Sequence, residues 1–203
     1  MPHIFDPEER HKLDSPERRA EMPPEETLVK AGIKPGDIFL DIGCGTGYFS
    51  LPAARMIGPK GVVYAVDVSG VMLAALRSKA ASQGVFNIQT LQTARGKLAL
   101  PDASPTLALI SDVLHEVDDR RTFFAAVGAA LKPGARLAVI EWEKKETPKG
   151  PPLKDRIAED EMQVLLKKAG FTEPAASGLG ASRVLYTCER TAAAARPPRG
   201  RSS

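Results

Sequence analysis

DIGCGTG, residues 41–47, decides the fold class of this chain because it joins an apolar run to a second apolar-rich segment. Residues 38–42 predict a buried strand, and residues 47–57 predict a helix that ends before Gly58-Pro59. Glycines at alternate positions permit a tight turn and let a ligand lie directly against the backbone. The N–H groups at the start of the next helix point at that ligand. The stretch therefore predicts a ligand-binding strand–loop–helix unit.

The spacing of the glycines narrows the class of ligand. A dinucleotide-binding loop places its third glycine one position later, as G-x-G-x-x-G. No G-x-x-x-x-G-K-[ST] stretch is present, which argues against a P-loop nucleotide hydrolase. Asp67 ends a second predicted strand over 62–66, and a carboxylate there can accept hydrogen bonds from both hydroxyls of a ribose. Loop and acid together predict a nucleoside site.

The rest of the chain alternates in the same way. Helices are predicted from Ser69 to Ala81, over 120–131 and over 158–169, and strands over 87–91, 107–110, 136–142, 171–177 and 183–189. The last two strands are close enough in sequence to pair antiparallel. Alternation with short turns predicts an α/β fold, a doubly wound, mostly parallel sheet that helices cover on both faces.

Three segments are predicted along the 203 residues, a length that suits one domain. Residues 1–26 are charged and proline-rich and form an arm, with a short helical turn after Ser15-Pro16. Residues 27–190 form the domain. Residues 191–203 are a disordered basic tail.

The composition excludes several classes of protein. Apolar residues make up 43% and charged residues 26%, which is typical of a soluble globular chain, and no stretch approaches the roughly 18 apolar residues of a membrane span. The first residues have no apolar segment of a secretory signal.

Cys44 and Cys188 have no metal-ligand spacing, so we expect no metal, no disulfide framework and a cytoplasmic location. The net charge of +3 comes from the tail, which argues against nucleic acid as a partner.

The motifs resemble a known family. DIGCGTG and VYAVDVS (63–69), with LKPGARLAVIEW (131–142) and LLKKAGF (165–171), resemble the class I S-adenosylmethionine-dependent methyltransferases over about residues 27–190. FDPEERHKLDSPERR (5–19) and EWEKKETPKGPP (141–152) resemble a small prokaryotic subgroup, in the broad set with the ubiquinone, menaquinone and arsenite methyltransferases. The resemblance implies a Rossmann-like sheet of seven strands with the last strand antiparallel.

The resemblance also implies a cofactor, S-adenosylmethionine, with S-adenosylhomocysteine as product. It places Gly43, Gly45 and Gly47 at the methionine and ribose end, Asp41 holding the loop or the cofactor ammonium through water, Asp67 on the ribose hydroxyls, and Val68 and Met72 beside the adenine. One departure concerns the adenine. Many members carry an acid after the third strand, whereas residues 92–101 contain none. The backbone of Ala94 and Arg95 would then hold the adenine, or the adenine would be held less tightly.

Catalytic candidates follow the fourth and fifth strands, where an open sheet binds its ligands. Methyl transfer needs a base only if the nucleophile loses a proton. His115 is a candidate base or substrate-orienting residue, or it holds its own loop to the sheet. Asp112 contacts cofactor or substrate, or it caps a loop.

Substrate candidates come from the fifth strand and from the arm. Trp142 forms a wall of the substrate pocket or packs the following loop, and Glu141 binds a polar group of the substrate. Phe5 and His11 close over the site, as the subgroup resemblance implies, or belong to an arm without substrate contact.

The sequence therefore predicts an enzyme that transfers a methyl group to a small-molecule acceptor by in-line displacement. The chain has only two cysteines, which argues against arsenite as the acceptor, since several thiolates would be needed to hold it. A non-catalytic cofactor-binding protein is the alternative. An NAD(P)-dependent oxidoreductase is disfavoured by the glycine spacing. A homodimer is left open.

Overall fold

The computed structural model describes residues 15–94, 98 and 105–192. Its strands are β1 (Ile38–Ile42), β2 (Val62–Asp67), β3 (Ile88–Gln92), β4 (Leu107–Ser111), β5 (Arg136–Trp142), β6 (Ala175–Leu179) and β7 (Arg183–Glu189). Its α-helices are α1 (Pro16–Glu21), α2 (Pro24–Lys30), α3 (Ser50–Ile57), α4 (Gly70–Ser82), α5 (Arg120–Ala130) and α6 (Glu159–Lys168). Helices follow β1, β2, β4 and β5, which is the predicted alternation.

The strands form one seven-stranded sheet in the order β3-β2-β1-β4-β5-β7-β6. Strands β1 to β5 pair parallel, and β7 pairs antiparallel with β5 and β6. This confirms the mostly parallel sheet with its last strand antiparallel. The strand order reverses between β1 and β4, so the loops after these two strands diverge and leave a crevice at their carboxyl ends.

Each face of the sheet carries its own apolar core, since successive residues of a strand point to opposite faces. On one face Phe39 of β1 packs with Leu28 of α2 and Leu76 of α4. On the other, Leu40 packs with Phe124 of α5. Every residue of β4 is buried, as expected for a strand covered on both faces.

Two boundaries differ from the prediction by three residues or more. Helix α3 begins at Ser50 instead of residue 47, because the loop continues through turns up to that point and Gly47 has φ +90°. Strand β6 begins at Ala175 instead of residue 171. Phe171 forms an isolated bridge to Arg190, one residue out of the register that pairs Ala175 with Thr187.

The two ends of the described chain bear on the predicted arm and tail. Ser15 accepts a hydrogen bond from the N–H of Arg18 and Pro16 opens α1, which confirms the helical turn. Thr191 donates to the carbonyl of Gly170 through its N–H and its hydroxyl, whereas residues 193–203 of the predicted tail lie outside the described residues. No helix in the described ranges is long and apolar enough to cross a membrane.

Candidate active site

A cavity of about 1280 Å³ opens at the carboxyl ends of β1, β2 and β4. Its walls come from α1, from the loops after these strands, from the end of β5 and from the first residue of β7. This volume exceeds the range of about 300–1,000 Å³ that is usual for a small-molecule site. The cavity therefore has room for two ligands side by side.

The glycine loop forms one wall by its backbone. Gly43, Gly45 and Gly47 all have positive φ, between 53° and 90°. The N–H groups of Gly43 and Cys44 donate to the carbonyl of Val66 at 2.8 and 3.0 Å, which ties the loop to β2. A Cβ on Gly43 would overlap the side chain of Val113. The loop is thus fixed in a conformation that only glycine adopts without strain.

Gly47, the third glycine of the loop, lies against α4. It does not line the cavity, and a Cβ there would overlap Leu76 of α4. Its contact is with the helix that packs behind the loop. A role for Gly47 at the cofactor stays a prediction.

Asp67 is held by the backbone on both of its oxygens. Oδ2 accepts from the N–H of Gly45 and Oδ1 from the N–H of Ser69, each at 2.8 Å. Each carboxylate oxygen can accept more than one hydrogen bond, so both keep acceptor capacity for a ligand. Since Asp67 lines the cavity, this fixed carboxylate is placed to accept two hydroxyl groups.

Asp41 lies beneath the loop and is 2% exposed. Burial raises the pKa of this carboxyl to about 7. The hydrogen bond from Ser50 lowers this pKa, and the negative charge of the neighbouring Asp67 raises it further. The hydroxyl of Ser50 donates to Asp41 Oδ2 at 2.5 Å. The carboxyl therefore holds the first turn of α3 and still lines the cavity.

The far end of the cavity carries the residues predicted for the adenine. Val68, Met72 and Ala94 line it. The side-chain amide of Gln92 donates to the carbonyl of Val68 at 3.1 Å, which holds the strand end together. Arg95 lies outside the described residues.

Asp112 follows β4 and forms a charge cluster at the opposite end. The Nε of Arg183 lies 2.9 and 3.2 Å from its two oxygens, and Arg18 lies 3.4 Å from Oδ2. Burial alone would raise the pKa of Asp112, but the two guanidinium charges outweigh it and hold this pKa below its usual value. A carboxylate that stays ionised in two ion pairs suits a structural role better than proton transfer.

Arg183 was not among the residues predicted from the sequence, although its position carries a signal. It opens β7, and the amino end of an antiparallel strand lies at the carboxyl edge of its parallel neighbours. Its guanidinium lies 3.9 Å from the ring centre of Trp142, which it faces across the β5–β7 pairing. Trp142 lines the cavity and also packs against Gly150, and its role as a wall of a substrate pocket stays a prediction.

His115 and Glu141 form a pair next to this cluster. His115 lies in a 3₁₀ turn over Leu114–Glu116, and its Nδ1 is 3.2 Å from Oε2 of Glu141. Burial lowers the pKa of His115, but the hydrogen bond and charge of Glu141 outweigh it and raise this pKa. Glu141 does not line the cavity, so the structure does not bring it to the place predicted for a substrate contact.

Helix α1 covers one side of the cavity. Arg18 lies 4.6 Å from the ring centre of Tyr48, whose hydroxyl donates to the carbonyl of Met22 at 2.6 Å. Glu21 pairs with Lys149 at 2.7 Å and with Arg183 at 3.4 Å. Arg18 was not predicted from the sequence because it lies in the charged arm. Phe5 and His11 lie outside the described residues.

Two buried polar atoms in the cavity wall point to a ligand. Arg18 Nε and Ser111 Oγ have no hydrogen-bond partner within residues 15–94, 98 and 105–192. Buried polar groups are rarely left unpaired, so a bound molecule is expected to supply partners. S-adenosylmethionine carries a charged amino-acid end, ribose hydroxyls and an adenine, which fit these atoms, Asp67 and the far end of the cavity. Among the described residues no group of His, Cys, Asp and Glu could hold a metal ion.

Comparison with known proteins agrees with this fit. A family model described as "Methyltransferase domain" matches residues 39–134. The "Ubiquinone/menaquinone biosynthesis C-methyltransferase UbiE" of Marinomonas sp. is 34% identical over 122 residues, 60% of this chain and 49% of that protein. The protein of the same name from Teredinibacter turnerae is 36% identical over 121 residues, 59% and 49%. The chain thus spans about half the length of these curated relatives.

Solved structures cover more of the chain. The "putative type 11 methyltransferase from Sulfolobus solfataricus" shares the fold at 22% identity, with a TM-score of 0.71 over 87% of this chain and 96% of that one. The crystal structure of a SAM dependent methyltransferase from Aquifex aeolicus is 31% identical, with a TM-score of 0.86 over 93% of this chain and 100% of that one. The chain belongs to the class I S-adenosylmethionine-dependent methyltransferases.

Proposed function

We propose that this chain transfers a methyl group from S-adenosylmethionine to a small-molecule acceptor. One observation carries the proposal: a single cavity joins the glycine loop and Asp67 to His115 and Trp142. When bound, the cofactor supplies a sulfonium methyl group that is already activated for displacement. The protein then has to align the acceptor with that group and exclude water.

The cofactor end of the cavity supplies binding groups of matching chemistry. The carboxylate of Asp67 accepts the ribose hydroxyls, and its two backbone hydrogen bonds keep it in place. Arg18 and Ser111, each with a polar atom left unpaired, take the charged amino-acid end. Val68, Met72 and the backbone of Ala94 flank the adenine. The backbone takes this role because no acidic side chain stands between the end of β3 and Ala94 to hold the adenine.

The other end receives the acceptor. Trp142 and Arg183 form a stacked wall, and His115 lies beside it. Helix α1 shields this end, so that the arm over the site predicted from the sequence is retained in the proposal. The curated relatives are named for C-methylation in quinone biosynthesis, which supports a small organic acceptor over nucleic acid.

Calorimetric titration with S-adenosylhomocysteine tests cofactor binding, with NADH as the control ligand. We expect a dissociation constant in the micromolar range, about −8 kcal/mol. Asp67→Ala should abolish binding, because the ribose hydroxyls lose their acceptor, whereas Asp160→Ala on the first turn of α6 should not change it. If the affinity of Asp67→Ala stayed within twofold of the wild type, the assignment of Asp67 to the ribose would be wrong. Binding of NADH would favour an oxidoreductase.

Turnover separates an enzyme from a non-catalytic binding protein. Methyl-labelled cofactor is offered with a panel of acceptors: 1,4-dihydroxynaphthalene and catechol as phenols, 2-mercaptoethanol as a thiol, and dimethyl sulfide as an acceptor without an acidic proton. Label in the methylated acceptor supports the enzyme. Cofactor binding with no transfer to any member of the panel would favour the non-catalytic alternative.

A further inference from the structure

Glu141 is a buried carboxylate with three contacts that all lead to one turn. It is 3% exposed, and Oε1 accepts from the N–H groups of Val113 at 2.9 Å and Leu114 at 2.6 Å. Oε2 faces Nδ1 of His115 at 3.2 Å. A carboxylate held by two backbone donors cannot rotate freely, so its second oxygen keeps a fixed position beside the imidazole.

The acceptor at Nδ1 selects one tautomer of the imidazole. A carboxylate only accepts hydrogen bonds, so the proton of neutral His115 resides on Nδ1 and the lone pair on Nε2. His115 lines the cavity, whereas Glu141 lies behind it. Nε2 is therefore the nitrogen that the turn offers to a bound acceptor.

We infer that Glu141 is a positioning residue that holds His115 as a general base acting through Nε2, and this inference rests on the proposed methyl transfer. The arrangement resembles in logic the pairs in which a carboxylate orients a histidine for proton abstraction. It changes the role of Glu141 from the substrate contact expected from the sequence to a group that never touches the acceptor.

The charges around His115 favour the imidazolium that forms when it takes a proton. Glu141 faces it from β5, and Asp112 and Glu116 face it from its own segment. The nearby cations have other partners: Arg183 and Arg18 pair with Asp112, and Arg120 of α5 donates to the carbonyl of Leu114 at 3.1 Å. The balance at the imidazole is therefore negative.

A base at this position is useful only for an acceptor that gives up a proton. The acceptor's acidic hydrogen passes to Nε2 while its freed electron pair forms the bond to the methyl carbon. The pair of the breaking carbon–sulfur bond stays on sulfur, which becomes neutral. An imidazole can take a proton from a phenol or a thiol, whose pKa values lie near 10 and 8.5, far more readily than from an alkyl alcohol. An acceptor such as dimethyl sulfide needs no base.

Nitrogen-15 NMR of the full chain labelled at histidine tests the pairing without any acceptor. The chain has three histidines, His3, His11 and His115, and His115→Asn identifies the signal of the third. We expect His115 in the Nδ1–H form, with a pKa above 6.5. In Glu141→Gln this pKa should fall by about one pH unit or more, while the amide oxygen can still hold Val113 and Leu114.

Two controls accompany the measurement of the His115 pKa. Glu143→Gln removes a partly exposed carboxylate from the same strand end, where it pairs with Lys145, and should leave the pKa of His115 unchanged. Thermal unfolding shows whether each variant folds. An Nε2–H tautomer in the wild type, or the same pKa in folded Glu141→Gln, would overturn the inference.

Turnover and cofactor binding separate this inference from the proposed function. For a phenol or thiol acceptor, His115→Asn should lose about 100-fold or more in kcat, and Glu141→Gln should shift the acid limb of the pH profile to lower pH. Affinity for S-adenosylhomocysteine should stay within twofold in both. If His115→Asn transferred the methyl group as fast as the wild type, the role of His115 as a general base would be overturned. If the wild type bound no S-adenosylhomocysteine, the proposed function would be overturned instead.

Discussion

The two ends of the cavity are built by different means. The end proposed for the cofactor comes mainly from one continuous stretch, residues 41–72, and is held by backbone N–H groups and glycine conformations. The end proposed for the acceptor takes side chains from three distant segments: Asp112 after β4, Trp142 of β5 and Arg183 of β7. The acceptor end can therefore change by single substitutions that leave cofactor binding intact.

The largest expected effect is at the cofactor end, in Gly43→Ala. The new methyl group would overlap Val113 in a residue with φ +74°. Overpacking and backbone strain should together cost about 4 kcal/mol, and binding of S-adenosylhomocysteine should be lost. Urea unfolding and calorimetry measure the two effects.

Gly36→Ala is the matched control for that variant. Gly36 has a similar φ of +79°, but a Cβ there meets nothing within 4 Å. Strain alone should cost about 1 kcal/mol, with cofactor affinity unchanged. Equal losses in the two variants would mean that the packing of the loop against Val113 contributes nothing, and the contrast between the two ends would fail.

The same contrast explains what could be predicted from the sequence. The glycine loop, β5 and β7 lie at their predicted positions because a strand and a turn each depend on adjacent residues. The start of β6 was misplaced because a one-residue register shift after Phe171 leaves no mark in the apolar pattern. Arg183 was not predicted because its neighbours are set by strand order, and Arg18 was not predicted because it lies in the charged arm. That Glu141 lies behind a turn could not be predicted, because alternation alone does not say which side chain lies there.

Asp112→Asn tests the acceptor end and should have the next largest effect. It removes the anion that the guanidinium groups of Arg183 and Arg18 share, while Arg183 keeps its pair with Glu21, and this should destabilise the fold by about 3 kcal/mol. Asparagine tolerates the positive φ of 55° at this position, so backbone strain should not contribute. Affinity for S-adenosylhomocysteine should change by less than about threefold, and acceptor turnover should fall. Chemical denaturation with calorimetry checks this.

The double variant Asp112→Asn/Arg183→Met sharpens that test. Removing both partners of a buried pair is much less costly than removing one, so part of the stability should return. No recovery would show that Arg183 stabilises mainly through Trp142, over which it lies, instead of through Asp112.

The smallest expected effect concerns two buried carboxyls that behave in opposite ways. Asp112 pairs with two cations and has a lowered pKa, whereas Asp41 accepts a hydrogen bond from the Ser50 hydroxyl and has a pKa of about 7. Since the folded pKa of Asp41 lies above its usual 3.8, the folded chain binds this proton more tightly than the unfolded chain. Its stabilising effect is full below that usual value and is lost as the pH rises through 7.

Asp41→Asn follows from this sign. The amide needs no proton and can still accept from Ser50, so its stability relative to wild type should grow by about 2 kcal/mol between pH 5 and pH 8. Unfolding curves at the two pH values measure the difference, and a constant difference would show that Asp41 does not titrate there. If Asp41→Asn were more stable than the wild type at pH 8, the buried carboxylate beneath the glycine loop would destabilise the protein without its cofactor. A cationic ligand, such as an ammonium group reached through water, would offset that effect, so weaker S-adenosylhomocysteine binding in the same variant would assign the carboxyl to the cofactor.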